Sequence, residues 1–221
     1  MALPVVLAVA WRGWAHRPAS PEETNSAIVI GEQESGIDLS QACSKDDLTA
    51  VKSLAERYGV NEAGAEGMPL NVAAEHGTVE MVKFLISKGA RINVSNGWGR
   101  SPIHSAAEGG NLETLKALEA AGADIKQPSG EAFLDELNRT SRQFQPIHLA
   151  ARSGRLTIVR YLVSRGVDPS VKDANGETPF NYAWVEGHDD PEVIGESCAG
   201  VMKYLRSISA NCDPAPYSPG R

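Results

Sequence analysis

Apolar residues return along this chain in short bursts at helical spacing, and the bursts come in pairs. Leu112, Leu115 and Leu118 recur every three residues among polar neighbours, which predicts an amphipathic helix. Just upstream, Pro102, Ile103, Ala106 and Ala107 mark a shorter one. Ser101 stands where its N-cap belongs, Pro102 at the first helical position and His104 at N3. A hydroxyl there satisfies an orphan N–H, a proline lacks one that would have had no partner, and the imidazole takes the N3 role of a capping box. Gly109-Gly110 separates the two helices, and Gly122 supplies the left-handed residue that ends the second.

The same unit recurs. Pro69, Pro102, Pro146 and Pro179 stand 33, 44 and 33 residues apart, each followed at one fixed distance by Gly77, Gly110, Gly154 or Gly187. Gly89, Gly122 and Gly166 close three of the copies. A period near 33 marks a repeat architecture. Two short antiparallel helices cannot bury an apolar face alone, so each copy needs its neighbours. The pattern predicts an all-α solenoid.

At these residues the chain resembles the ankyrin-repeat family. The family's Thr-Pro-Leu-His start, paired alanines, helix-breaking Gly and closing Gly-Ala-Asp correspond to SPIHSAAEGG…AGAD and QPIHLAARSG…RGVD. MPLNVAAEHG…KGAR and TPFNYAWVEG are looser copies, and with a divergent first unit the resemblance covers roughly residues 37 to 187. It implies about five helix–turn–helix units including caps, joined by short β-hairpin-like loops. It leaves function open, because a scaffold carries whatever site is grafted onto it.

Residues 1–36 read as a disordered leader and linker. Met1 to Trp11 is apolar but lacks the positive n-region of a signal peptide. No acid precedes Glu22, so a mitochondrial presequence is the alternative to an unstructured leader or gene-model artefact. Residues 37–208 form the repeat domain. Its first unit carries Asp38 and Gln41 at capping-box spacing, with Leu39, Ala42, Cys43, Leu48, Val51 and Leu54 as the apolar face. It reads as a cap, since terminal repeats have one face in water. An insertion, about residues 126–144, opens with the turn residues Lys126 to Gly130 and carries Phe133, Leu134 and Leu137 for a helical turn or two. Asp190 and Pro191 start a cap helix, about 190–208, followed by Ile194, Cys198, Val201 and Leu205. Trp184 replaces the small residue of the other copies, so the last interface must be filled differently. Residues 209–221 read as a disordered tail. Gln143 occupies the place of Gly99 and Gly176, which makes the usual positive-φ turn costly and leaves the insertion to absorb it. Met68 and Gln145 are weaker N-caps than Ser101 and Thr178, so their units should start less firmly.

The net charge of −7, with no long basic block, argues against nucleic acid. No apolar run reaches the ~18 residues needed to span a bilayer. Cys43, Cys198 and Cys212 make no CxxC and no even framework, which suits free thiols in a reducing cytoplasmic or nuclear compartment. His104 and His148 sit at equivalent positions, yet helices packed ~8–10 Å apart hold them too far apart for nitrogens sharing a zinc. His188, Asp189 and Cys198 lack a fourth ligand or a base with its orienter. No P-loop, GxSxG or HExxH occurs. Neither cofactor, metal nor catalytic group is expected.

What remains is surface. The resemblance implies that partners bind where the loop before each Pro and the end of each first helix face a groove. By register these are Trp98, Arg100, Phe144, Asn175 and Glu177 on loops, and Glu75, His76, Glu108, Arg152, Val185 and Glu186 on helices. The bland alternative for the charged residues is a solvated turn. Trp98, in Asn-Gly-Trp-Gly, is either a partner contact or a ring lying flat on the next loop. The resemblance also implies an asparaginyl hydroxylation at Asn93, which ends Gly89-Ala90-Arg91-Ile92-Asn93; an Asn bonding within its loop is the alternative. The expectation is a monomeric, non-enzymatic adaptor for a protein partner. A regulatory subunit that inhibits or chaperones one enzyme, of a kinase or proteasome type, is the alternative.

Overall fold

A computed structural model describes residues 38–130, 143–184 and 196–209. The leader, most of the insertion with Phe133, Leu134 and Leu137, the segment with Val185, Glu186, His188, Asp189, Asp190, Pro191 and Ile194, and the tail with Cys212 lie outside the described residues. Among the described residues the secondary structure is helical. The pairs run α1 (Leu39–Ser44) with α2 (Leu48–Tyr58), α3 (Pro69–His76) with α4 (Val79–Ser87), α5 (Pro102–Gly109) with α6 (Leu112–Ala120), and α7 (Pro146–Arg152) with α8 (Leu156–Ser164). Then α9 (Pro179–Ala183) is followed by α10 (Glu196–Ile208). None of these helices is long and apolar enough to cross a membrane.

The first helices stack in a row, α1 on α3, α3 on α5, α5 on α7 and α7 on α9. Small residues make this row tight: Ala73, Ala106, Ala150 and Ala183 are buried at equivalent places, and Cys43 fills the corresponding place in α1. A side chain on Gly109 would run into the main chain of Glu75, so only glycine fits there. Behind this row Val82, Leu85, Leu115, Leu118, Val159 and Leu162 are fully buried. Helix α10 closes the far end against α7, α8 and α9, with Val201 and Leu205 buried. Trp184 is half-buried against that core and follows the end of α9.

One polar device repeats along the row. In the second, third and fourth units the N3 side chain reaches the carbonyl just before the next unit's N-cap. Asn71 Nδ2 donates to Arg100 O at 2.8 Å, His104 Nε2 to Phe144 O at 3.2 Å, and His148 Nε2 to Glu177 O at 3.3 Å and Val171 O at 3.1 Å. The other nitrogen of each imidazole serves its own helix: Nδ1 accepts the N–H of Ser101 at 3.3 Å and of Gln145 at 3.0 Å. Both rings must therefore be neutral, with the proton on Nε2.

Two expectations need correction. Gln145 starts its helix with the same N–H to imidazole bond as Ser101, because the bond uses backbone and the N3 ring rather than the cap side chain. The insertion does not relieve Gln143 of the turn either: its φ is +48°, beside +72° at Gly99 and +82° at Gly176. The backbone keeps the repeat geometry and places a non-glycine residue in left-handed space, which costs about 1 kcal/mol.

Candidate functional site

The loop ahead of α5 is built around Asn96. Its N–H donates to Arg100 O at 2.8 Å, and its Oδ1 accepts the N–H groups of Trp98 and Arg100, both at 3.0 Å. Asp173 builds the loop ahead of α9 the same way, accepting from Asn175 at 2.9 Å and Glu177 at 2.8 Å. Short polar side chains that bond their own backbone hold such tips without a strand. Trp98 and Asn175 thus crown matching loops, and both are exposed. Trp98 keeps 57% of its surface open to solvent, so the ring does not lie buried on a neighbouring loop.

The insertion leaves and rejoins the stack at one place. Ser129 N–H donates to Phe144 O at 2.8 Å and Gly130 N–H to Gly99 O at 2.7 Å. Phe144 O therefore accepts from both Ser129 and His104. The Phe144 ring meets His104 edge-on, with centroids 5.8 Å apart, and the Arg100 guanidinium lies 5.7 Å from its centre.

Below these loops, Glu108 at the end of α5 gathers arginines. One of its carboxylate oxygens is bonded by Arg100 and the other by Arg152, while its main-chain oxygen accepts from Arg155 Nε at 3.0 Å. Arg100 and Glu108 are largely covered; the Arg152 side chain is 45% exposed. Four of the residues singled out from sequence, Arg100, Glu108, Phe144 and Arg152, thus form one cluster, with Trp98 on the same loop as Arg100. Glu75 and His76 form a separate exposed pair at 3.5 Å. Glu177 is half-buried and Asn175 exposed on the far loop. Asn93 is exposed in the turn after α4.

Sequence reasoning missed Arg155. The available signal was its position: Arg155 is the N-cap of α8, where α6 has Asn111 and α4 has Thr78, and it makes no side-chain cap bond. Its guanidinium lies over Gly110, where a Cβ would collide with it.

The titratable groups nearby are structural. Burial pushes His104 down to about 4, outweighing its bond to Phe144 O, and Arg100 adds to the shift. Burial lowers His148 too, against the pull of Asp173. Burial, with Asp38 and Asp46, pushes the Cys43 thiol up to about 12, so it is a packing residue rather than a nucleophile. Burial raises Cys198 against the opposing pull of Arg155. Among the described residues no group of three or more His, Cys, Asp or Glu side chains is placed to hold a metal.

Comparison with known proteins agrees with the geometry. A family model described as ankyrin repeats (3 copies) matches residues 39–129, and one described as ankyrin repeats (many copies) matches residues 131–183. Over 45 residues, 20% of this chain, the sequence is 42% identical to the ARF GTPase-activating protein GIT1 of Homo sapiens. The same similarity holds for the proteins of that name in Mus musculus and Rattus norvegicus. The matched stretch is 6% of the length of each relative.

Proposed function

Because this chain belongs to the ankyrin-repeat family, whose repeats are generally protein–protein interaction modules, we propose that it is a non-enzymatic adaptor that docks a protein partner on its loop side. One observation carries the reading: an exposed Trp98 projects from a loop held rigid by Asn96, next to the cluster of Arg100, Phe144, Glu108 and Arg152. An aromatic anchor beside arginines is the composition of an interaction hot spot, and a rigid loop spends little ordering entropy on binding. Asn175 and Glu177 extend the same face one loop further, and Glu75 with His76 extend it in the other direction. A regulatory subunit covering one enzyme would use the same surface and differ in having a single tight partner whose activity it lowers. Free thiols at Cys43 and Cys198 suit a cytoplasmic or nuclear setting.

The test is an affinity capture from the native cell with wild type and Trp98→Ala, quantified by mass spectrometry after circular dichroism has shown equal helicity. Phe144 is unsuitable as a second site because its ring packs on His104 and Arg100. Partners depleted at least severalfold from the variant support the reading; identical partner lists would remove it.

A further inference from the structure

Three guanidinium groups, from Arg100, Arg152 and Arg155, converge on Glu108, and among the described residues no second carboxylate pairs with any of them. The chain as a whole carries −7, so this is a local reversal of sign on an acidic molecule. Glu108 also divides its two oxygens between two arginines, so neither receives the paired bonds of a guanidinium–carboxylate fork. Arg100 Nε is buried and has no hydrogen-bond partner. Arg152 is the more open of the two, with 45% of its side chain exposed. The cluster sets three cations around one anion.

We propose that the arginine cluster is a seat for an acidic side chain of an extended, glutamate- or aspartate-rich partner segment, and that Glu108 is its internal occupant. The incoming carboxylate takes Arg152 in a fork and Glu108 retreats to Arg100. This rests on the docking face proposed above and adds the partner's chemistry and a brake on it. Charge complementarity selects the occupant, because a basic segment would meet three arginines and a neutral one would leave their donors as they are. Glu108 sets the threshold: its own negative charge repels the ligand it imitates, so weakly acidic sequences are rejected.

The probe is a fluorescein-labelled, end-blocked hexaglutamate peptide, with hexaglutamine as control, titrated onto the full chain by anisotropy at low and at physiological salt. Hexaglutamate is expected to bind, hexaglutamine not, with affinity falling as salt rises. Glu108→Gln keeps the side-chain shape and removes the competing charge, so binding tightens about threefold to tenfold. Arg152→Gln weakens it about tenfold. Arg165→Gln, which removes an exposed arginine paired with Glu119 on another part of the surface, leaves it unchanged. Thermal melts check that each variant is folded. Absence of hexaglutamate binding, unchanged or weaker binding by Glu108→Gln, or equal loss with Arg165→Gln would each overturn the proposal. The Trp98→Ala capture separates the two claims: partner loss there without hexaglutamate binding keeps the docking face and removes the acid seat.

Discussion

The first junction of the stack and the inner ones hold the same parts together with opposite polarity. Between the first and second units, Asp38 is an acceptor: it takes the N–H of Gln41 at 2.9 Å, the Ser40 hydroxyl at 2.6 Å and, across the junction, the N–H of Ala65 at 2.6 Å. Between inner units the N3 side chains Asn71, His104 and His148 are donors to the next loop's carbonyl. The difference follows burial. The cap faces water, where a carboxylate keeps its charge without a partner cation, whereas inside the stack a neutral donor avoids placing a charge in low dielectric. A repeat can thus keep its geometry while its terminal copy changes chemistry.

That contrast predicts unequal losses. His104→Ala empties a buried site, strands the Ser101 N–H and leaves Phe144 O with Ser129 alone, and should cost about 3 kcal/mol, read as a shift of the urea midpoint. Asp38→Ala removes an outer cap and should cost about 1 kcal/mol. His104→Asn copies what the chain itself uses at Asn71 and should recover most of the loss. Equal costs for His104→Ala and Asp38→Ala would erase the comparison.

Acid sharpens it. The unfolded chain binds a proton at His104 near the ordinary 6.5, whereas the folded protein refuses it until about 4. Stability at this junction therefore falls as pH drops from about 6.5 to about 4, by about 3 kcal/mol, and His148 acts in the same direction. Asp38 behaves differently. Burial raises it, but the bonds from Ser40, Ala65 and Gln41 prevail and hold it below the ordinary 3.8. Its contribution is intact above that value and is lost only as pH falls further. Urea midpoints measured across this range should show the steep inner loss in wild type and a shallower one in His104→Asn.

Left-handed residues give a smaller contrast. Gln143→Gly should stabilise by about 0.5–1 kcal/mol, since it relieves φ +48° at an exposed residue. Asp46 has φ +55°, yet its Oδ1 accepts the Thr78 N–H at 3.0 Å across the first junction, so Asp46→Gly should gain nothing. Smallest is Thr114→Val. The Thr114 hydroxyl is buried with no hydrogen-bond partner, where Met81 and Ile158 stand in the neighbouring units, and its loss should raise the melting midpoint by the equivalent of about 0.5 kcal/mol.

The repeat was legible because its signals are local: Pro69, Pro102, Pro146 and Pro179 each start a helix, and glycine or alanine spacing does the rest. Capping by His104 was legible for the same reason. Its second bond was not, because Phe144 lies 40 residues away, beyond an insertion. The loop positions Trp98, Arg100 and Phe144 followed from register, whereas the convergence of Arg100, Arg152 and Arg155 on Glu108 depends on how far long side chains reach between units. Gln143 misled because residue identity suggested what its backbone would avoid, while the surrounding hydrogen bonds at Ser129, Phe144 and His104 fix that backbone regardless.

The central claim is that neutral imidazoles on the inner junctions donate from Nε2 to the next repeat. Long-range nitrogen–proton correlation spectra of the imidazoles, recorded from pH 7 to pH 5, test it directly. His104 and His148 should each show a bare Nδ1 and a protonated Nε2 at pH 7, and His104 should not titrate across this range. Titration near 6.5, or a proton on Nδ1, would contradict the account.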